Sequence, residues 1–284
     1  MKVPATTNDP GLRAEGLIAR YGIRDAQDLD IEAIALDAGM EVEYRPLAGC
    51  EATLVGVGSR AIATVSPSPV RGRERFSIGH ELGHWILHRG RSFRCRVDDP
   101  DQNLASDRTL EQEADRFAAH VLMPAPLFQP AVKALGHPGF RQLDDLAGHF
   151  ETSLLATCIR LAGIDTLPVI LACYTSQRRR WFKAAAHVPR RWWLRNQLDE
   201  DSFAYDLLSE GGTPAAGRKQ PAEVWFENDD ADDYEVIEHC IPYQSGEVLV
   251  LLYLTTPMMS AGYDPGVGTR KYNEFGSFVR RGSR

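Results

Sequence analysis

The residues most able to do chemistry are His80-Glu81-Leu82-Gly83-His84. On a helix this HExxH spacing places two imidazoles at i and i+4, one turn apart on one face. Both rings can then reach a single zinc ion at about 2.0–2.1 Å. Glu81 follows His80 by about 100° of helical rotation. It stands close enough to serve as general base toward a water at an open coordination position, and to pass the proton on to a leaving amine. That is the chemistry of peptide-bond hydrolysis. The pentapeptide has only three fixed positions, and an amphipathic helix with surface histidines would also produce it.

A catalytic zinc site needs a third protein ligand and an open position. The next helical segment supplies candidates in Glu111-Gln112-Glu113-Ala114-Asp115. Glu111 and Asp115 lie at i and i+4, the ExxxD arrangement of gluzincins, where Glu binds the metal and Asp orients a ligand histidine. Glu113 competes for the ligand role. On a helical wheel Leu110, Ala114, Phe117, Ala118 and Val121 form the core stripe. Glu111 and Asp115 flank it beside small or apolar neighbours. Glu113 falls on the other flank near Arg116 and His120, a solvated edge with an i,i+3 ion pair. The wheel therefore favours Glu111. His88 extends the histidine face by one more turn and reads as a packed or pocket-edge residue. Cys95, between the two segments, reads as a free thiol, with occupation of the open metal position as the less favoured role.

The elements that must position these groups are legible in outline. GLRAEGLIARYG and DIEAIALDAG carry apolar residues at helical spacing and end at Gly. EVEYRPL, ATLVGVG and RAIATV read as a short antiparallel sheet. Residues 71–88 form the motif helix, with Gly90 as its stop. A second helix covers 107–122, capped by Ser106 or Asp107 and closed before Pro124. Two short helices with a turn occupy 140–162, and five strand-like runs (LPVILACYT, RRRWFKAAA, AEVWF, YEVIEHCIPY, EVLVLLYLT) follow. On the wheel of the motif helix Ile78, Leu82, Trp85 and Ile86 face a core, while Gly79 and Gly83 leave a third side open to close approach.

HELGHWILH followed by EQEADRFAAHVLMP resembles the ImmA/IrrE metallopeptidases, and LDDLAGHFETSLLATCIRL sits where that family has a helix-turn-helix-like segment. The resemblance covers roughly residues 10–165 and weakens beyond. It implies zinc as cofactor with ligands His80, His84 and Glu111, catalytic Glu81, and Asp115 orienting a ligand histidine. Where many relatives carry Asn, this chain carries Asp115, and both hydrogen-bond a histidine. It also implies a substrate class: a helix-turn-helix (XRE-like) repressor whose cleavage derepresses stress-response or mobile-element genes.

The expected fold class is therefore α+β. A zincin-like helical peptidase domain with a small antiparallel sheet fills 1–165, including the helix-turn-helix-like segment 140–162. A β-rich domain of sensor or regulatory character fills 166–284, ending in a loose tail of about 20 residues. The alternative function is a non-turnover binding or sensor protein that sequesters a repressor on a zincin scaffold.

Composition bounds the remaining classes. With 284 residues, 43% hydrophobic and 25% charged, the chain can bury real cores. A net charge of −7 gives no general attraction to phosphate backbones. Between 143 and 161 only Arg160 is basic, against Asp144, Asp145 and Glu151, so direct nucleic-acid binding is disfavoured and that segment reads as a packing or substrate-docking module. Arg178–Arg180 and Arg190-Arg191-Trp192-Trp193 read as a strand edge and a loop. The opening residues lack the apolar core of a secretory signal, no stretch of about 18 apolar residues occurs, and the five cysteines lack CxxC spacing. A cytoplasmic, reduced protein is the expectation.

Overall fold

The computed structural model describes residues 9–89, 93–96, 105–209 and 211–261, with the backbone alone for 93–96 and 105–107. The chain forms two compact units. One comprises Met1–Ala131 and Asp145–Ala156, the other Val132–Asp144 and Thr157–Arg284. Helix and sheet are mixed throughout, an α+β architecture.

The first unit opens with α1 (Pro10–Tyr21). Asp9 caps it by accepting from the Leu12 N–H, Pro10 occupies its first turn, and Gly22 ends it in the left-handed region at φ 66°. Helix α2 (Ile31–Asp37) is capped by Asp30, which accepts from Glu32 and Ala33. Strands β1 (Met40–Tyr44), β2 (Cys50–Val57), β3 (Arg60–Val65) and β4 (Phe93–Arg96) form a sheet in the order β1-β3-β2-β4. The sheet is antiparallel at β2–β3 and β2–β4, but β1 joins parallel to β3. The all-antiparallel expectation fails at that one pairing. Strand β2 runs back from β1, and β3 turns forward again and takes the place between them.

Helix α3 (Arg71–Leu87) lies against this sheet. Ile78, Leu82 and Trp85 are buried with Leu54, Ala61, Ala63 and Val65 of the strands. Trp85 donates from Nε1 to the Ala38 carbonyl at 2.8 Å, and a Cβ at Gly56 would stand 2.8 Å from its ring. The indole is thus pinned at both ends. Helix α4 (Ala105–Leu122) starts two residues before its expected 107, and its expected caps fall where side chains are not described. Gly90 and the 262–284 tail lie outside the described residues.

Helices α5 (Ala125–Leu135), α6 (Phe140–His149) and α7 (Leu154–Gly163) follow. The turn between α6 and α7 places Glu151 at φ 50°.

The second unit is built on a five-stranded antiparallel sheet. Its strands are β5 (Val169–Thr175), β6 (Arg179–Ala184), β7 (Ala215–Pro221), β8 (Glu235–Pro242) and β9 (Glu247–Leu254), in the order β6-β5-β9-β8-β7. The continuous apolar runs of β5 and β9 are buried on both faces, as central strands require. Four of the five strand-like runs are strands. AEVWF is instead a 3-10 turn at Ala222–Val224, closed by the Trp225 N–H donating to the Ala222 carbonyl at 3.0 Å, with Val224, Trp225 and Phe226 all buried. Strand β7 and the short helix α8 (Phe203–Ser209) stand where sequence patterning predicted neither. A short helix α9 (Thr256–Ser260) closes the described chain. No helix among the described residues is long and apolar enough to cross a membrane.

Candidate metal centre

The site is made by the closeness of α3 and α4. A Cβ at Gly83 would stand 3.1 Å from the Ala114 Cα, and one at Gly79 would stand 3.3 Å from the Ala118 Cβ. Hydrogen in place of two side chains lets the backbones meet here, as the third side of the wheel anticipated. Ala114, Phe117, Ala118 and Val121 bury the facing stripe of α4. That packing fixes the rotation of α4 and turns Glu111 and Asp115 toward the histidines.

His80 and His84 meet through their Nε2 atoms, 3.0 Å apart. Glu111 straddles the pair, with Oε2 3.2 Å from His80 Nε2 and Oε1 3.4 Å from His84 Nε2. Four-coordinate bonds of about 2.0–2.1 Å imply ligand–ligand edges of about 3.3 Å. The three separations match that edge, so the donor set fits a divalent ion in both chemistry and spacing. Among the described residues, His80, His84 and Glu111 form the group able to hold a metal.

The protonation states fit as well. Burial lowers the pKa of His84; hydrogen bonding and charge from Glu111 oppose this, and the neighbouring His80 and His88 rings add to the lowering. Burial acts to raise the pKa of Glu111, but hydrogen bonds with both histidines and their fields outweigh it and hold the carboxyl well below the usual range. Neutral imidazole with ionised carboxylate is the form in which these groups ligate a cation.

Asp115 Oδ1 accepts from His80 Nδ1 at 2.9 Å. That bond puts the ring proton on Nδ1 and leaves the Nε2 lone pair facing the cluster centre. Glu81 is fully buried on the same helix. His80, Glu81 and His84 therefore lie on α3, and Glu111 and Asp115 on α4.

Two neighbours differ from expectation. Glu113 makes no ion pair with Arg116, which instead meets Asp9 at 2.8 Å. Glu113 Oε2 stands 2.8 Å from His88 Nε2, and His88 Nδ1 stands 3.0 Å from His84 Nδ1. The wheel of a single helix ranked Glu113 by its own neighbours and missed a partner on the facing helix. The signal was present in the i, i+4 spacing of His84 and His88. Cys95 falls where side chains are not described.

Residues 27–162 match the sequence model of the peptidase M78 family, described as the IrrE N-terminal-like domain. Residues 27–162, a little under half of the chain, thus carry a domain similar to that of the ImmA/IrrE family. Over 100 residues it is 30% identical to the radiation response metalloprotease IrrE of Deinococcus radiodurans, a span of 35% of this chain and 30% of that relative. The chain thus covers less than a third of that curated relative's length. The solved structure of a protein named as a Mycobacterium tuberculosis transcriptional regulator superimposes with a TM-score of 0.58 at 18% identity, covering 91% of this chain and 94% of that one. That likeness speaks to the fold alone. A metallopeptidase domain implies a divalent metal, and His80, His84 and Glu111 are the group among the described residues that could hold one.

Proposed function

We propose that this chain is a zinc-dependent endopeptidase that cleaves a helix-turn-helix repressor and so derepresses stress-response or mobile-element genes. The observation that carries the reading is the convergence of His80, His84 and Glu111 beside buried Glu81. His80, His84 and Glu111 would hold zinc, which when bound supplies Lewis acidity at the scissile carbonyl. Glu81 takes a proton from the attacking water and returns it to the departing amine nitrogen. Asp115 keeps His80 in the tautomer that presents Nε2.

The name of the Deinococcus relative, a radiation response metalloprotease, supports the stress-response part of this reading. The α6–α7 segment fits a docking role better than a DNA-binding one. Arg160, the single basic residue between 143 and 161, is buried and cannot reach a phosphate. In the same proposal residues 1–165 are the peptidase domain, and 166–284 are a β-rich regulatory domain.

The test is cleavage of candidate helix-turn-helix repressors by the purified, zinc-loaded chain. Glu81→Gln should lose about 10²–10⁴-fold in rate while keeping fold and zinc. A variant that still cleaves at the parent rate removes Glu81 from the mechanism. A parent that binds repressor without cutting it would favour the alternative, a sequestering sensor.

A further inference from the structure

The two histidines of the cluster are supported differently. Each must offer its Nε2 lone pair to the centre, so each must carry its ring proton on Nδ1 and place that proton on an acceptor. His80 donates directly to the carboxylate of Asp115, at 2.9 Å. His84 is fully buried, and its Nδ1 faces another imidazole: Nδ1 of His88, at 3.0 Å. His88 in turn has its Nε2 2.8 Å from Glu113 Oε2.

Two nitrogens facing each other share one proton between them. Glu113 decides on which ring it sits. A carboxylate accepts and cannot donate, so His88 must carry a proton on Nε2. Neutral His88 then has a bare Nδ1, which accepts from His84 Nδ1. His84 is left with its lone pair on Nε2, aimed at the cluster. The opposite arrangement would turn a bare His88 Nε2 toward the Glu113 oxygens, lone pair against lone pair. It would also put a hydrogen on the His84 nitrogen that must ligate.

We propose that His88 and Glu113 form a relay that fixes the tautomer and ring orientation of His84, making both of them positioning residues of the metal centre. The inference rests on the functional reading above in taking His84 as a ligand. It gives Glu113 a role at the site without making it a ligand, and gives the third histidine of the face a task beyond packing. The ring of His88 is not needed to end α3, because its backbone N–H already closes the last turn on the His84 carbonyl at 2.9 Å. Asp115 and Glu113 also come from the same helix that supplies Glu111. Helix α4 therefore provides one ligand and orients both of the others.

The experiment uses the full chain, with zinc affinity measured by competition against a chromogenic chelator. His88→Leu and Glu113→Ala should each lower affinity about 10–100-fold, the usual effect of removing a group that orients a ligand. His88→Gln, whose amide can accept from His84 and donate to Glu113, should recover most of the loss. Glu113→Gln, which still accepts from His88, should do the same. Long-range ¹H–¹⁵N spectra of the His84 ring supply a readout that lost packing would not move. The parent should show Nδ1–H with a bare Nε2, and His88→Leu should show a mixture of tautomers. If His88→Leu does not fold, Glu113→Ala, at the half-exposed end of the relay, carries the same test. Folded variants with parental affinity and an unchanged His84 tautomer overturn the relay, as does a zinc-loaded parent whose His88 carries protons on both nitrogens. A parent that takes up no zinc overturns the functional reading instead, and the relay is then judged on the His84 tautomer alone.

Discussion

The α3–α4 helix pair and the β5–β9 sheet both bury ionisable groups, but to different ends. On the helices, His80, Glu81, His84 and His88 are buried. Lone pairs of His80, His84 and Glu111 converge on one point, with carboxylates behind the rings. In the sheet, Glu238 is just as buried, yet its oxygens point apart. Oε1 accepts from the Ala204 N–H at 2.9 Å and Oε2 from Trp225 Nε1 at 2.9 Å. One carboxylate ties a helix start and an indole to the sheet and leaves nothing directed at a ligand. Burial of charge does not mark a site. Convergence of donor atoms on a single point does.

The sharpest way to break this contrast is Glu111→Gln. The amide keeps the shape but loses the charge and one acceptor, so zinc content measured by atomic emission should fall to near background with the fold intact by circular dichroism. Retention of stoichiometric zinc would remove Glu111 from the centre. Next is Gly83→Val, which forces side-chain atoms into the gap 3.1 Å from Ala114. Overpacking of this kind costs about 1–3 kcal/mol. Calorimetry should show a lower Tm, and chelator competition a weaker site, because the helices that carry the ligands must separate.

The sheet's carboxylate makes the opposite prediction. Burial pushes the Glu238 pKa up from 4.5 to about 7, against the pull of its hydrogen bonds. A carboxyl that holds its proton more tightly when folded stabilises the fold below pH 4.5. That contribution fades as pH rises through about 7. The loss amounts to at most about 3 kcal/mol. Glu238→Gln, which cannot titrate, should flatten this part of the urea-stability profile and leave zinc affinity unchanged. A parental pH profile in the variant would assign the slope to other groups. The smallest effect belongs to the exposed pair Lys219–Glu235 at 2.8 Å, where Lys219→Ala should shift stability by less than about 1 kcal/mol.

The α3–α4 region was the more legible of the two in sequence. HExxH, ExxxD and the glycines at 79 and 83 each state a geometric demand at helical spacing; the helices do close at the two glycines, and His80, His84 and Glu111 do come together. What escaped was pairwise. The partner of Glu113 lies on another helix, and no single wheel can show it. The second unit was less legible for similar reasons. Strand β7 is a polar edge strand with a left-handed Gly217 at φ 72°, so it lacks the alternation that announces a strand. Helix α8 is seven residues long and draws a cap bond from Glu238, 34 residues away. The run AEVWF carries the composition of a strand, but its backbone closes into a 3-10 turn in which the Trp225 and Phe226 N–H groups donate back to the Ala222 carbonyl.

The two missing side chains at Gly79 and Gly83 make the helix pair a caliper. Its jaws are the backbones of α3 and α4, and its gap is set by hydrogen atoms rather than by adjustable side chains. Choice of metal thereby becomes partly a matter of mechanical spacing. A shim of one methyl at either glycine would open the jaws and move Glu111 away from the two imidazoles. The preference of the site would then drift toward cations of larger radius, although no ligand had been altered.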